Sequence, residues 1–322
     1  MLFRSAPLWW WQRRQRGAAP AQALRALTVL TLTLTFELIL VGAFTRLTDS
    51  GLGCPDWPRC FGSWIPPAKA AELPPQFDPS QFNPTLMWTE YLNRLLGVTV
   101  GFLIFATAVS AWRHYRHQPR ILWPTIAAFL LVGYEGWLGG RVVAHELAPW
   151  IVTAHLIVAV VIVQLLLYAT FQAMAPQSTS TSDSTIGTGT AILIALTLFQ
   201  AGVGTQVRGT IDDVVNTGLA RSAALAAVGR LDGIHRDLAF VTLIGATLLV
   251  LWLLSKRSPL VSWGYVVMAL AVAQVAIGAF MAYGALIPSA QVAHLTIASL
   301  LLGAETILWL QSRRPSSPAH LD

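Results

Sequence analysis

Eight apolar runs of about 20 residues, the length that crosses a bilayer core as a helix, leave this chain little choice of fold. They lie at roughly 26–45, 88–111, 121–142, 149–172, 190–208, 231–254, 261–283 and 289–310 of 322 residues. Only 11% of the residues are charged, against about 25% in soluble domains, and no soluble domain remains once the runs are set aside. The sequence reads as an all-α polytopic membrane protein. Lys and Arg set its orientation, because positive charge collects on the cytoplasmic side. Arg4, Arg13, Arg14, Arg16 and Arg25 precede the first run, Arg113, Arg116 and Arg120 follow the second, Lys256 and Arg257 the sixth, Arg313 and Arg314 the eighth. Arg221 and Arg230 run against this pattern and are outnumbered. Both termini are therefore expected in the cytoplasm, with the chain in the cell (inner) membrane and lipid as its surroundings. The net charge of +6 reflects that topology, and nothing points to a nucleic-acid partner. The first apolar run is long and lacks a small-residue cleavage site, so it reads as a span rather than a signal peptide.

A motif at the head of the sixth run occurs twice. Asp232-Gly233-Ile234-His235-Arg236 repeats the order of Glu90-Tyr91-Leu92-Asn93-Arg94, with His235 where the earlier copy has Asn93. Pro149 precedes His155, and Pro288 precedes His294, by six positions (155 − 149, 294 − 288). Gly139 and Gly278 precede the same histidines by sixteen (155 − 139, 294 − 278), and Gly42-x-x-x-Arg46 matches Gly204-x-x-x-Arg208. These pairs predict eight transmembrane helices as two repeated four-helix bundles. The expected divisions are a cytoplasmic segment 1–25, a first bundle 26–174, a Ser/Thr-rich linker 175–189, a second bundle 190–310 and a cytoplasmic tail 311–322. The first bundle carries a Pro-, Trp- and Gly-rich outer loop at about 46–87. Arg46 to Asn93 therefore spans 47 positions (93 − 46), where Arg208 to His235 spans 27 (235 − 208).

Runs two, four, six and eight all enter from the outer face. At about 1.5 Å rise per residue, Asn93, His155, His235 and His294 should lie at similar depth. Ionisable groups within lipid cost roughly 3 kcal/mol and mark function unless they sit in the headgroup zone. Two histidines on different helices of a bundle are a common axial pair for haem iron, and His235 with His294 supplies one; an interhelical hydrogen bond is the structural alternative for either alone. Arg208 and Arg236, with Arg46 and Arg94 as their first-half counterparts, are candidates to pair with haem propionates or to anchor helix ends at the headgroups. In the first half His155 meets Asn93, a poor iron ligand, and Glu90 lies three residues before Asn93 on the same face. Glu37, Glu135 and Glu305 lie within spans and are expected to face the bundle interior in hydrogen-bonded structural roles. Cys54 and Cys60 are the only cysteines. On the outer face a disulfide between them can persist, with free thiols as the alternative, and two cysteines without a nearby histidine make a poor zinc site.

Taken together, TRLTDSGLGCPDWPRCFGSWIPP, EYLNR, APWIVTAHL, GTQVR, the IHR at 234–236 and Gln291-Val292-Ala293-His294-Leu295 resemble haem A synthase, the membrane enzyme family that oxidises a methyl group of haem O to the formyl group of haem A for terminal oxidase assembly. The resemblance spans about 42–300. It implies that His235 and His294 hold a haem b, that the first half receives haem O near His155 and a catalytic Glu90, and that Cys54 and Cys60 form a disulfide. The partners it implies are haem O as substrate, an electron donor and haem O synthase. Where that family has Glu-x-x-His-Arg, this chain has Asn93, which leaves three readings: a dispensable histidine, an asparagine that positions water, or an altered, inactive relative. A cytochrome b-like electron carrier is the rival class, although its signature would be two complete histidine pairs. A two-repeat transporter is a further alternative, without the paired broken helices of such folds.

Overall fold

The computed structural model describes residues 8–174, 183–218, 220–284 and 286–313. Among them are α1 (Leu8–Leu47), α2 (Pro84–Tyr115), α3 (Pro119–Ala144), α4 (Pro149–Met174), α5 (Ser184–Asn216), α6 (Arg221–Val228), α7 (Arg230–Ser255), α8 (Val261–Tyr283) and α9 (Pro288–Ser312). All but α6 contain a segment long and apolar enough to cross a membrane, matching the eight expected runs. The chain is a multi-pass membrane protein.

Local chemistry sets the helix starts. Pro84, Pro119, Pro149 and Pro288 open α2, α3, α4 and α9, where proline costs no hydrogen bond and its fixed φ suits the first turn. Asn83 Oδ1 accepts from the Thr85 and Leu86 amides, and Asp183 Oδ1 accepts from those of Thr185 and Ile186, which satisfies amides orphaned at a helix start. The Asp183 cap starts α5 inside the stretch expected to be linker, so 184–189 are helical; 175–182 lie outside the described residues. Two further departures concern elements. The α5 helix continues eight residues past Arg208 (216 − 208), and the alanine-rich α6 follows it. Gly229, at φ 63°, makes the turn into α7 in a conformation that side chains with a Cβ disfavour.

The helices pack as two rings. In one, α1 touches α2 and α4, while α3 touches α2 and α4; in the other, α5 touches α7 and α9, while α8 touches α7 and α9. The rings meet through α4 on α5 and through α9 on α1 and α4. This packing is compatible with two four-helix units. Between membrane helices there is no water to expel, so close backbone approach and interhelical hydrogen bonds of about 0.6 kcal/mol each hold the bundle. Thr31 bonds Thr107 at 3.0 Å between α1 and α2, Thr153 bonds Thr205 at 2.6 Å across the seam, and Thr197 donates to the buried Glu305 at 3.0 Å. Glu305 thus has the hydrogen-bonded role expected of it. Glu37 does not. Thr28, Thr31 and Thr35 define the buried face of α1, and Glu37, two residues beyond Thr35 and about 200° round the helix, is exposed.

Each ring carries its own cap. Over the first, Cys54, Cys60, Phe61 and Met87 form a buried cluster under the outer loop, and the two cysteines form a disulfide. Over the second, α6 packs Ala224 and Val228 against Val207 and Ile211 of α5.

Candidate functional site

His235 on α7 and His294 on α9 face each other with ring centroids 6.3 Å apart. A metal–imidazole bond is about 2 Å, and the ring centre lies about 1 Å beyond the nitrogen, so two imidazoles on opposite sides of one iron stand about 6 Å apart. Both Nδ1 atoms are buried without a formed hydrogen bond, and the main chain of Gln200 and Gln274 lies beside the two rings. A histidine that ligates through Nε2 uses such a carbonyl to fix its tautomer. No group of three or more His, Cys, Asp and Glu that could hold a metal ion occurs among the described residues. Two imidazoles alone suit a metal that brings its own equatorial donors, as haem does. The pair therefore fits a haem iron.

Small residues make room for these rings. A Cβ at Gly204 would stand 2.9 Å from His235 Cε1, and one at Gly278 would stand 3.4 Å from His294 Cε1. The first ring repeats the arrangement helix for helix: a Cβ at Gly139 would stand 3.6 Å from His155 Cε1, and one at Gly42 would stand 4.0 Å from Asn93 Oδ1. Asn93 therefore occupies the place of an imidazole, and its Oδ1 is buried without a partner. His155 differs from His235 and His294 in that Glu135 Oε1 lies 3.0 Å from its Nδ1. The sequence reading gave Glu135 only a structural role. The sign that it belongs to the site is its place on α3, one turn before Gly139 (139 − 135 = 4).

Glu90 is almost fully buried, and both its oxygens are committed. The Cys54 amide donates to Oε2 at 2.7 Å, and Arg94 holds Oε1 at 2.5 Å. Arg94 in turn donates to the carbonyls of Asp56 and Arg59 at 2.8 Å each and of Cys54 at 3.3 Å. Glu90 and Arg94 thus clamp the disulfide loop onto α2. The acid–arginine spacing of four that looked like site chemistry is also that of a helical ion pair, and Asp232–Arg236 forms the counterpart at 2.5 Å, with Arg236 also donating to Tyr283 Oη at 2.9 Å. Arg46 reaches across the seam to Asp212 at 3.2 Å, and Arg208 pairs with the other oxygen of the same carboxylate. The four arginines proposed for propionates all already face a carboxylate. Asp212 was not singled out in the sequence because it lies in the part of α5 expected to be loop.

The sequence pattern of the COX15-CtaA family, described as cytochrome oxidase assembly protein, matches residues 25–306. Relatives named haem A synthase bear out the resemblance seen in the motifs. Those of Allorhizobium ampelinum and Agrobacterium fabrum are each 29% identical to this chain, over 60% and 64% of it. That of Shewanella oneidensis is 33% identical over 43% of it. The matches cover 59%, 60% and 42% of those proteins' own lengths, so the chain spans about three fifths or less of the curated relatives it matches. With the family pattern running from α1 to α9, the chain belongs to the cytochrome oxidase assembly protein family.

Proposed function

We propose that the protein is a haem A synthase, an oxidoreductase that converts a methyl group of haem O to the formyl group of haem A in the cell (inner) membrane. The observation that carries this reading is the asymmetry of the two rings. His235 and His294 stand at the separation of two ligands on one iron, whereas the first ring has His155 and, in the corresponding place, Asn93. Two imidazoles hold a cofactor that stays. One imidazole opposite a weak amide donor leaves an exchangeable position, which suits a substrate that must enter and leave.

In this reading the second half holds a haem b through His235 and His294, with Arg208 and Arg236 near its propionates. When bound there, haem b supplies one-electron transfer. His155 holds substrate haem O, and Arg46 lies on that side of the seam. Glu90 serves the reaction by fixing the loop over this half rather than as the group that meets the substrate, because its oxygens are taken by Cys54 and Arg94. The disulfide supports an outer-face loop, since such bonds persist on the oxidising side of the membrane, and the Lys and Arg distribution supports cytoplasmic termini. Taking a methyl to a formyl group removes four electrons and adds one oxygen atom, so the reaction needs an oxidant of the dioxygen class with an electron donor to activate it, and haem O synthase is the partner that would supply the substrate.

The test is pigment extraction from membranes of a host that makes haem O but not haem A. Expression of the chain should produce haem A, and His155→Ala should leave haem O unconverted. Unconverted haem O alongside a normal b-type spectrum in the unmodified protein would make it an electron carrier instead.

A further inference from the structure

The four ligand positions share one design, in which each lies beside a glycine of a neighbouring span. The residue one helical turn before that glycine is Leu38, Glu135, Gln200 or Gln274 (42 − 4, 139 − 4, 204 − 4, 278 − 4). Only one of the four is a carboxylate, and it stands in the ring that has a single imidazole. Glu135 Oε1 lies 3.0 Å from His155 Nδ1, and the Glu135 side chain is 13% exposed. Both Glu135 oxygens and His155 Nδ1 are buried, and none has a formed hydrogen bond elsewhere. The two groups stand at bonding distance, short of alignment.

From this we infer that Glu135 is a positioning residue for His155, accepting its Nδ1 proton and strengthening it as the lone imidazole ligand of the first-half haem. The inference rests on the proposal that this half binds haem O. An imidazole that ligates iron through Nε2 carries its remaining proton on Nδ1, and a carboxylate that accepts this proton orients the ring and raises its basicity as a ligand. The second half does without such a partner. There two imidazoles would hold the iron between them, and the main chain at Gln200 and Gln274 lies beside their rings. Glu135 thus offsets what Asn93 takes away: with no second imidazole, the one that remains is made the stronger donor.

The experiment uses full-length protein loaded with haem O. It compares the unmodified chain with Glu135→Ala, Glu135→Gln and the reciprocal Gln274→Glu, which places a carboxylate beside His294. The readouts are haem O affinity, the iron–histidine stretching band of the reduced first-half haem, and its midpoint potential. Loss of a carboxylate behind a ligating histidine weakens binding by about tenfold or more. For Glu135→Ala we expect that loss in the ferric protein, a lower stretching frequency in the ferrous one and a potential raised by about 60 mV, the one-electron equivalent of a tenfold loss borne by the ferric state. Glu135→Gln, which keeps the side chain's size, should shift the same way by less, and Gln274→Glu should lower the potential of the second-half haem. Haem O bound in Glu135→Gln or Glu135→Ala with band and potential unchanged overturns the role of Glu135. Unmodified protein that takes up no haem O beyond the His235/His294 site removes the premise itself, a result distinct from the first.

Discussion

Glu90 shows how one side chain can carry a loop. Its carboxylate takes the Cys54 amide on one oxygen and Arg94 on the other, and Arg94 passes the hold on to three loop carbonyls. Its side chain is 5% exposed and that of Arg94 14%, so this pair is barely screened. Removing one partner of a buried pair strands the other, at a cost of about 3 kcal/mol. Glu90→Ala is therefore expected to loosen the loop while leaving the α7–α9 half intact. Limited proteolysis should cut the variant within 54–83 at protease levels that spare the unmodified protein, with the haem proposed for the second half retained. Equal protease resistance in the two proteins would count against the clamp. The sequence showed that Glu90 and Arg94 matter together, because acid and arginine recur at matched positions in both copies. It did not show that the pair faces the loop, since one spacing of four serves ion pairing and site chemistry alike. Glu135 was hidden for a related reason: an acid within a span signals its partner only when the facing helix is known.

At the scale of the helices, a glycine on one element decides whether a ligand on the next can take its place. At Gly204 an added Cβ would meet the His235 ring at 2.9 Å, so the ring itself would have to give. Gly278 leaves more room, at 3.4 Å from His294. Overpacking of this kind costs about 1–3 kcal/mol and is relieved most easily by turning the ring. Gly204→Ala is thus expected to lose most of the haem proposed for this half, and Gly278→Ala a smaller part. Haem-to-protein ratios of the purified variants check this, and full occupancy in Gly204→Ala would contradict it. The eight spans were legible because lipid admits few alternatives to an apolar helix. The glycine–ligand pairings were half legible, since equal intervals from Gly139 to His155 and from Gly278 to His294 stand in the sequence without saying that the residues touch. Less visible were α6, too short and too alanine-rich to stand out from a loop, and the face of α1, where Glu37 points away from the packed side because the threonines at 28, 31 and 35 take it.

Across the whole molecule, two rings of like build differ at one matched position, His235 in the second and Asn93 in the first. Arg46 and Arg208, at matching positions of the two halves, share the carboxylate of Asp212 and so tie the rings together at the seam. The proposed division of labour rests on the two histidines of the second ring. In the purified protein the most direct measurement is the low-spin b-type spectrum of His235→Ala, His294→Ala and His155→Ala beside the unmodified chain. Loss of that spectrum in either of the first two variants, with its retention in His155→Ala, is the predicted result; a b-type spectrum that survives both His235→Ala and His294→Ala would contradict it.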